Sequence, residues 1–138
     1  MSQDAIFLPV TVLALLTFTV LLLVPIRRVR AARAGRVGPG DFRYGESARV
    51  PGDILLPNRN YMNLLELPLL FYVLCVILFV TKRVDQAYLW LAWSYVGFRM
   101  LHSLVHLAYN NVLHRLAMFA ISNVVLLMMW LRFLAAQL

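Results

Sequence analysis

Apolar residues fall in four long runs along the chain, separated by polar stretches of very different length. Residues 5–26 contain no charged side chain. About 20 such residues cross a bilayer as a helix, so a first spanning helix is predicted there. Residues 61–81 form a second run with one carboxylate, Glu66, inside it. Residues 86–107 form a third, interrupted by Arg99, His102 and His106, and residues 116–134 a fourth containing Ser122 and Asn123. Between the first two runs lie Gly35, Gly38, Pro39, Gly40, Gly45, Pro51 and Gly52. These oppose a long regular helix after about Arg36 and mark residues 27–58 as a loop. The fold class expected is an all-α integral membrane protein, a single four-transmembrane-helix bundle.

Composition strengthens this reading. Of 138 residues, 62% are hydrophobic and 14% charged, with a mean hydropathy of +0.77. A soluble domain carries roughly 25% charge. A soluble enzyme, a disordered chain and a disulfide scaffold are excluded, and Cys75, the single cysteine, has no partner in the chain.

The formal net charge of +7 changes the picture through its placement. Asp4 precedes the first run, whereas Arg27, Arg28, Arg30, Arg33 and Arg36 follow it. A cleaved signal peptide has the opposite order, so a retained first span is expected. By the positive-inside rule the first loop is cytoplasmic and both termini are outside. A bacterial inner membrane is the expected location. Tyr88, Trp90, Trp93, Tyr95 and Trp130 then fall toward the outer interface, as an aromatic belt should. The loop arginines suit anionic lipid headgroups. A nucleic-acid partner is not expected, because no soluble module is present to dock on a duplex.

The informative residues are the polar ones inside the runs, because a charge at mid-bilayer is costly unless paired or hydrated. Arg59, Asn63 and Glu66 are spaced i, i+4, i+7, on one helical face. Tyr95, Arg99, His102, His106 and Tyr109 make a second stripe at i, i+4, i+7, i+11, i+14. Arg115 heads the fourth run. At 1.5 Å per residue, Glu66 and Arg99 both lie roughly 12 Å from the inner edge, which predicts an ion pair between them. Two accounts follow. The pair is structural, or the cluster of Arg59, Asn63, Glu66, Arg99, His102, His106 and Arg115 forms a pocket for a polar ligand. Such a ligand would carry carboxylates for the arginines and an ammonium for Glu66. Pro68 deprives the Leu64 carbonyl of its helical partner, predicting a kink or a bound polar group there.

Other motifs carry less. His102 and His106 form HxxxH, a spacing that can share a metal. A di-iron centre needs more than the three histidines of this chain, and His114 lies too shallow to pair with them on a haem. No metal is expected. Met118, Met128 and Met129 read as packing, and Ser103 and Ser122 lack acid–base partners at useful spacing.

The stretch from Arg59 to Glu66, RxxxNxxE at the head of the second run, resembles the MAPEG family, the membrane-associated proteins in eicosanoid and glutathione metabolism. Arg99-Met100-Leu101-His102, followed by Asn110 and Arg115, is similar as well, as is the layout of four spans with a long basic first loop. The resemblance implies a homotrimer with glutathione as co-substrate, bound between subunits near the cytoplasmic face. It implies that Asn63 and Glu66 hold the tripeptide, Glu66 near its amino end. His102 contacts it, with Arg59, Arg99 and His106 in the same binding set. Arg115 stabilises the thiolate, and Arg28 reaches a carboxylate from the adjacent subunit. The reactive form of a thiol is the thiolate, and a guanidinium favours it without losing its own charge. A hydrophobic small molecule or lipid would be the second substrate, entering from the membrane lipids. The activity implied is a glutathione transferase or peroxidase. The chain departs from the prostaglandin synthase branch at Met62, Leu116 and Phe119, where that branch has arginine, serine and tyrosine, and has His106 where relatives have a tyrosine. A non-catalytic lipid-binding or scaffold role on the same fold is the alternative.

Overall fold

The first apolar run is folded into α1, Phe7–Arg33, 27 residues or about 40 Å long. The computed structural model to which it belongs describes residues 2–138. Thr11, Thr17 and Thr19 donate their hydroxyls to the carbonyls of Phe7, Leu13 and Leu15, at 2.8, 3.0 and 2.8 Å. Their polarity is thereby satisfied within the helix, as an apolar surrounding demands. α1 outlasts the apolar run because Arg27, Arg28, Arg30 and Arg33 are good helix formers. It stops at Gly35, whose φ of +67° suits a residue without Cβ. The Arg36 and Gly35 amides then bond the Ala31 and Ala32 carbonyls at 2.9 and 3.0 Å.

The loop that follows is shorter than its glycines and prolines suggest, because α2 begins at Gly52 and runs to Leu65. Ile54 and Leu55 bury their side chains with Ala31, Val37 and Val50 in a small satellite core, and that burial extends the helix nine residues ahead of the predicted span. The loop itself is knotted around Asp41. Its carboxylate accepts from the Gly38 amide and the Ser47 hydroxyl, both at 2.9 Å. Arg36 makes a two-pronged contact with Asp53 at 3.0 and 2.9 Å.

The second apolar run is interrupted where Pro68 predicts it. α2 ends at Leu65, and α3, Pro68–Val80, starts with the proline in its first turn. α4 covers Gln86–Ala108 and α5 covers Val112–Ala135. Asp85 caps α4 by accepting from the Tyr88 amide at 2.9 Å. Asn111 caps α5 through the His114 amide at 3.1 Å, four residues ahead of the predicted span. The chain makes four helical rods, with α2 and α3 sharing one, and no strand occurs among the described residues. Three rods, Gln3–Arg33, Gly52–Val80 and Val112–Ala135, are long and apolar enough to cross a membrane. α4 is comparably long but carries Ser94, Arg99, His102, Ser103 and His106.

Leu13, Val20, Leu64, Phe71, Leu74, Leu78, Tyr95, Val96 and Met129 fill the core between the rods. Phe71 stacks on Tyr95 with ring centroids 4.7 Å apart. Leu15, Phe18, Leu22, Val80, Leu104, Leu127 and Leu131 point outward, the surface expected of helices in lipid. The two ends of the bundle differ in their connections. Gln3 exchanges hydrogen bonds with the Val84 backbone, and Arg83 reaches the Ala136 carbonyl. The termini and the α3–α4 corner therefore share one end. The α1–α2 loop and the α4–α5 turn belong to the other.

Candidate functional site

A cavity of about 510 Å³ opens at the loop end, between α2, α4 and α5. α2 lines it with Asn58, Arg59, Met62, Asn63 and Glu66, α4 with His102 and His106, and α5 with Val112, Arg115, Leu116 and Phe119. Ligand pockets typically measure about 300–1,000 Å³. The stripes read from spacing thus converge: Arg59, Asn63 and Glu66 face His102, His106 and Arg115.

Two of the expected residues lie elsewhere. Arg99 is completely buried behind the cavity, and it forms no ion pair with Glu66. Among the described residues the ion pairs are Arg28–Glu46, Arg36–Asp53, Arg49–Asp41 and Arg132–Asp85. The Arg99 guanidinium instead donates to the backbone carbonyl of Asn63. The cause is the helix break. With α2 ending at Leu65, the Asn63 carbonyl is among the last four, which have no intrahelical partner. An arginine from α4 supplies one. The free carbonyl predicted at Leu64 is thus answered one residue away. Arg99 also lies against the Phe119 ring, 5.6 Å from its centroid. Its Nε and Nη1 have no protein partner.

Arg28 lies outside the cavity, engaged within its own chain. Its Nη2 contacts Glu46 Oε1 at 2.9 Å, and its guanidinium sits 4.5 Å above the Phe42 ring. Glu46 Oε1 also accepts from Asn58 at 3.0 Å. A carboxylate of the loop therefore links Arg28 to a residue of the cavity wall.

The cavity's own polar groups are positioned from behind. The α4–α5 turn places Asn110 at a φ of +47°. Its Oδ1 accepts from Arg115 Nη1 at 2.8 Å, fixing that guanidinium in the first turn of α5. His102 Nδ1 lies 3.1 Å from the Arg115 carbonyl. A carbonyl only accepts, so Nδ1 carries the proton and Nε2 of the neutral ring presents a lone pair. His102 Nε2 and both ring nitrogens of His106 are buried without a protein partner. The two rings meet edge to face, 5.7 Å between centroids.

Asn58, Asn60 and Asn110 join the site without having been singled out for a role there. Asn60 is fully buried and accepts from Ser103 at 3.2 Å, tying α2 to α4 beneath the cavity. It lies one helical turn before Asn63, a spacing that could have found it. Asn110 directly precedes Asn111, the cap of α5, in sequence. Asn58 carries no such signal, since its role depends on Glu46, twelve residues away.

An all-helical membrane protein with a cation-rich cavity near one end is the class these features define. A model of the MAPEG family matches residues 6–135, nearly the whole chain, and the chain belongs to that family. Membership places it among membrane proteins of glutathione and eicosanoid metabolism. Neither the curated proteins nor the solved structures yield a match.

Proposed function

We propose that the protein is a membrane glutathione transferase or peroxidase that acts on hydrophobic electrophiles through a thiolate stabilised by Arg115. One observation carries this reading: two arginines, Arg59 and Arg115, face one cavity with Asn63, Glu66 and two histidines, three of whose four ring nitrogens have no protein partner. Glutathione is anionic overall, with two carboxylates and one ammonium, and its charges complement this set. Glu66 receives the ammonium. Arg59 and Asn63 take a carboxylate and the peptide groups, and His102 Nε2 accepts from an amide. Arg115, held by Asn110, lies against the sulfur and lowers the free energy of its ionised form.

The cavity lining also has an apolar part. Met62, Val112 and Leu116 line the cavity and are themselves at least half exposed. An apolar electrophile can approach along this side from the lipid, while the thiol arrives from water. Arginines crowd the loop end, which supports a cytoplasmic placement for the cavity. α5 packs mainly on α4, leaving an outer face for lipid or for a neighbouring subunit of a homotrimer. In that assembly Arg28 would exchange Glu46 for a carboxylate bound next door.

The test is thiolate absorbance in the ultraviolet, measured on protein in mild detergent with glutathione at neutral pH. A stoichiometric signal that Arg115→Ala abolishes without changing the oligomer is the expected result. No signal from the intact oligomer would favour a non-catalytic lipid-binding role, and co-purified lipid would then be identified.

A further inference from the structure

We infer that His106 takes the proton released when the bound thiol ionises and returns it to the product, so that the site favours electrophiles whose reacting atom must be protonated. The inference rests on the thiolate reading above. His106 lines the cavity, is 2% exposed, and has neither ring nitrogen bonded to protein. A neutral imidazole always presents one lone pair, so a cavity-lining ring with no partner has an acceptor free for a ligand proton. His102 also presents a lone pair, at Nε2, but its ring is held through Nδ1 to the Arg115 carbonyl, and Nε2 is the acceptor assigned above to an amide of the tripeptide. Arg115 is a poor candidate for the proton because a guanidinium does not give one up or take a second.

The charged and titratable groups around His106 are Arg59 and Glu66 from α2, His102 from α4, and Arg115 from α5; α1 contributes none to the cavity. Two cavity arginines would oppose an imidazolium standing alone. An imidazolium formed together with a thiolate leaves the net charge of the cavity unchanged.

The step balances without a further reactant. The S–H bond breaks, its electron pair stays on sulfur, and the proton goes to a His106 ring nitrogen. With an epoxide, sulfur then bonds to carbon, the C–O bond opens, and the imidazolium protonates the alkoxide. With an activated alkene, the proton goes to the carbanion or enolate. An aryl chloride leaves as chloride and needs no proton, so it gains nothing from the proton His106 returns.

Proton counting tests this. Glutathione is added at about pH 8, above the ordinary imidazole range, in weak buffer with an indicator dye, and thiolate absorbance is followed in the same cuvette. The wild type should form thiolate with well under one proton released for each. His106→Gln should release one proton per thiolate, and its turnover of an epoxide should fall at least fivefold more than its turnover of an aryl chloride. A full proton per thiolate in the wild type overturns the inference while leaving the thiolate reading intact. So does proton retention that persists in His106→Gln but is lost in His102→Gln. Should His106→Gln not fold, the wild-type proton count alone decides. Absence of any thiolate in the wild type removes the thiolate reading and the inference together.

Discussion

The two ends of the bundle use their charges in opposite ways. At the end built from the termini and the α3–α4 corner, polar groups close on one another. Arg132 grips Asp85 and lies 4.3 Å from the Tyr88 ring centroid, Asp85 caps α4, and Gln3 is bonded to the Val84 backbone. At the other end Arg59, Arg115, His102 and His106 converge on a cavity, and three of the four imidazole nitrogens there bond to nothing in the chain. Polar groups held in a membrane protein without partners are costly. Where they cancel one another they act as structure. Where they stay open around a cavity they are available to a ligand.

The largest expected effect separates the ends directly. Arg115→Ala should cut the glutathione thiolate signal at least tenfold, about 1.4 kcal/mol of lost thiolate stabilisation, with thermal unfolding unchanged. Asp85→Ala should do the reverse. It removes the α4 cap and the partner of Arg132, so unfolding in detergent should become easier by about 1 kcal/mol, with the thiolate signal intact. A melting point that drops in Arg115→Ala would make that residue structural and collapse the contrast.

Glu66→Gln comes next. Since Glu66 makes no ion pair with Arg99, ligand-free stability should change by less than about 0.5 kcal/mol. Glutathione affinity should fall several-fold, roughly 1 kcal/mol for one charge-assisted contact. Calorimetric titration and a melting curve read the two quantities separately. Lost stability without ligand would reinstate the ion pair that depth along the helices suggests.

That ion pair shows where reading the residues in order reaches its limit. Helical spacing is a property of the chain alone, so Arg59, Asn63 and Glu66 on one face, and His102 and His106 on another, were legible. So was the interruption at Pro68. Equal depth for Glu66 and Arg99 did not settle what Arg99 bonds to, because the competitor was a backbone carbonyl exposed by the break. Pro68 signalled a free carbonyl near this point, but nothing in the spacing named Arg99 as the donor that would answer it. The head of α2 was hidden for a different reason. Pro51 and Gly52 read as breakers, and only Ile54 and Leu55 packing on Ala31, Val37 and Val50 makes residues 52–60 helical. Glu46 was invisible in the same way, since its partners Arg28 and Asn58 lie 18 and 12 residues away.

Acid should produce the smallest effect, confined to connections outside the spanning rods. The Gly38 amide and the Ser47 hydroxyl hold the Asp41 carboxyl below its ordinary range, and Arg36 does the same for Asp53. At the other end burial works against Asp85, but the Tyr88 amide and Arg132 outweigh it and its carboxyl is also lowered. Each group binds a proton more readily when its contacts are undone. The stabilisation it provides is therefore complete above about pH 4, the unfolded carboxylate range. It fades as pH falls through the lower folded values. Hydrogen exchange corrected for intrinsic rates should show amides of the 34–51 loop and of the α3–α4 corner losing protection between about pH 4 and pH 2. Amides in the middle of α4 should keep theirs, because no carboxylate holds that segment. Arg36→Ala should begin the loosening at higher pH for the loop and leave the corner unmoved. Simultaneous loss across α4 would mean that carboxylates hold the whole bundle, and the division between a closed end and an open one would not stand.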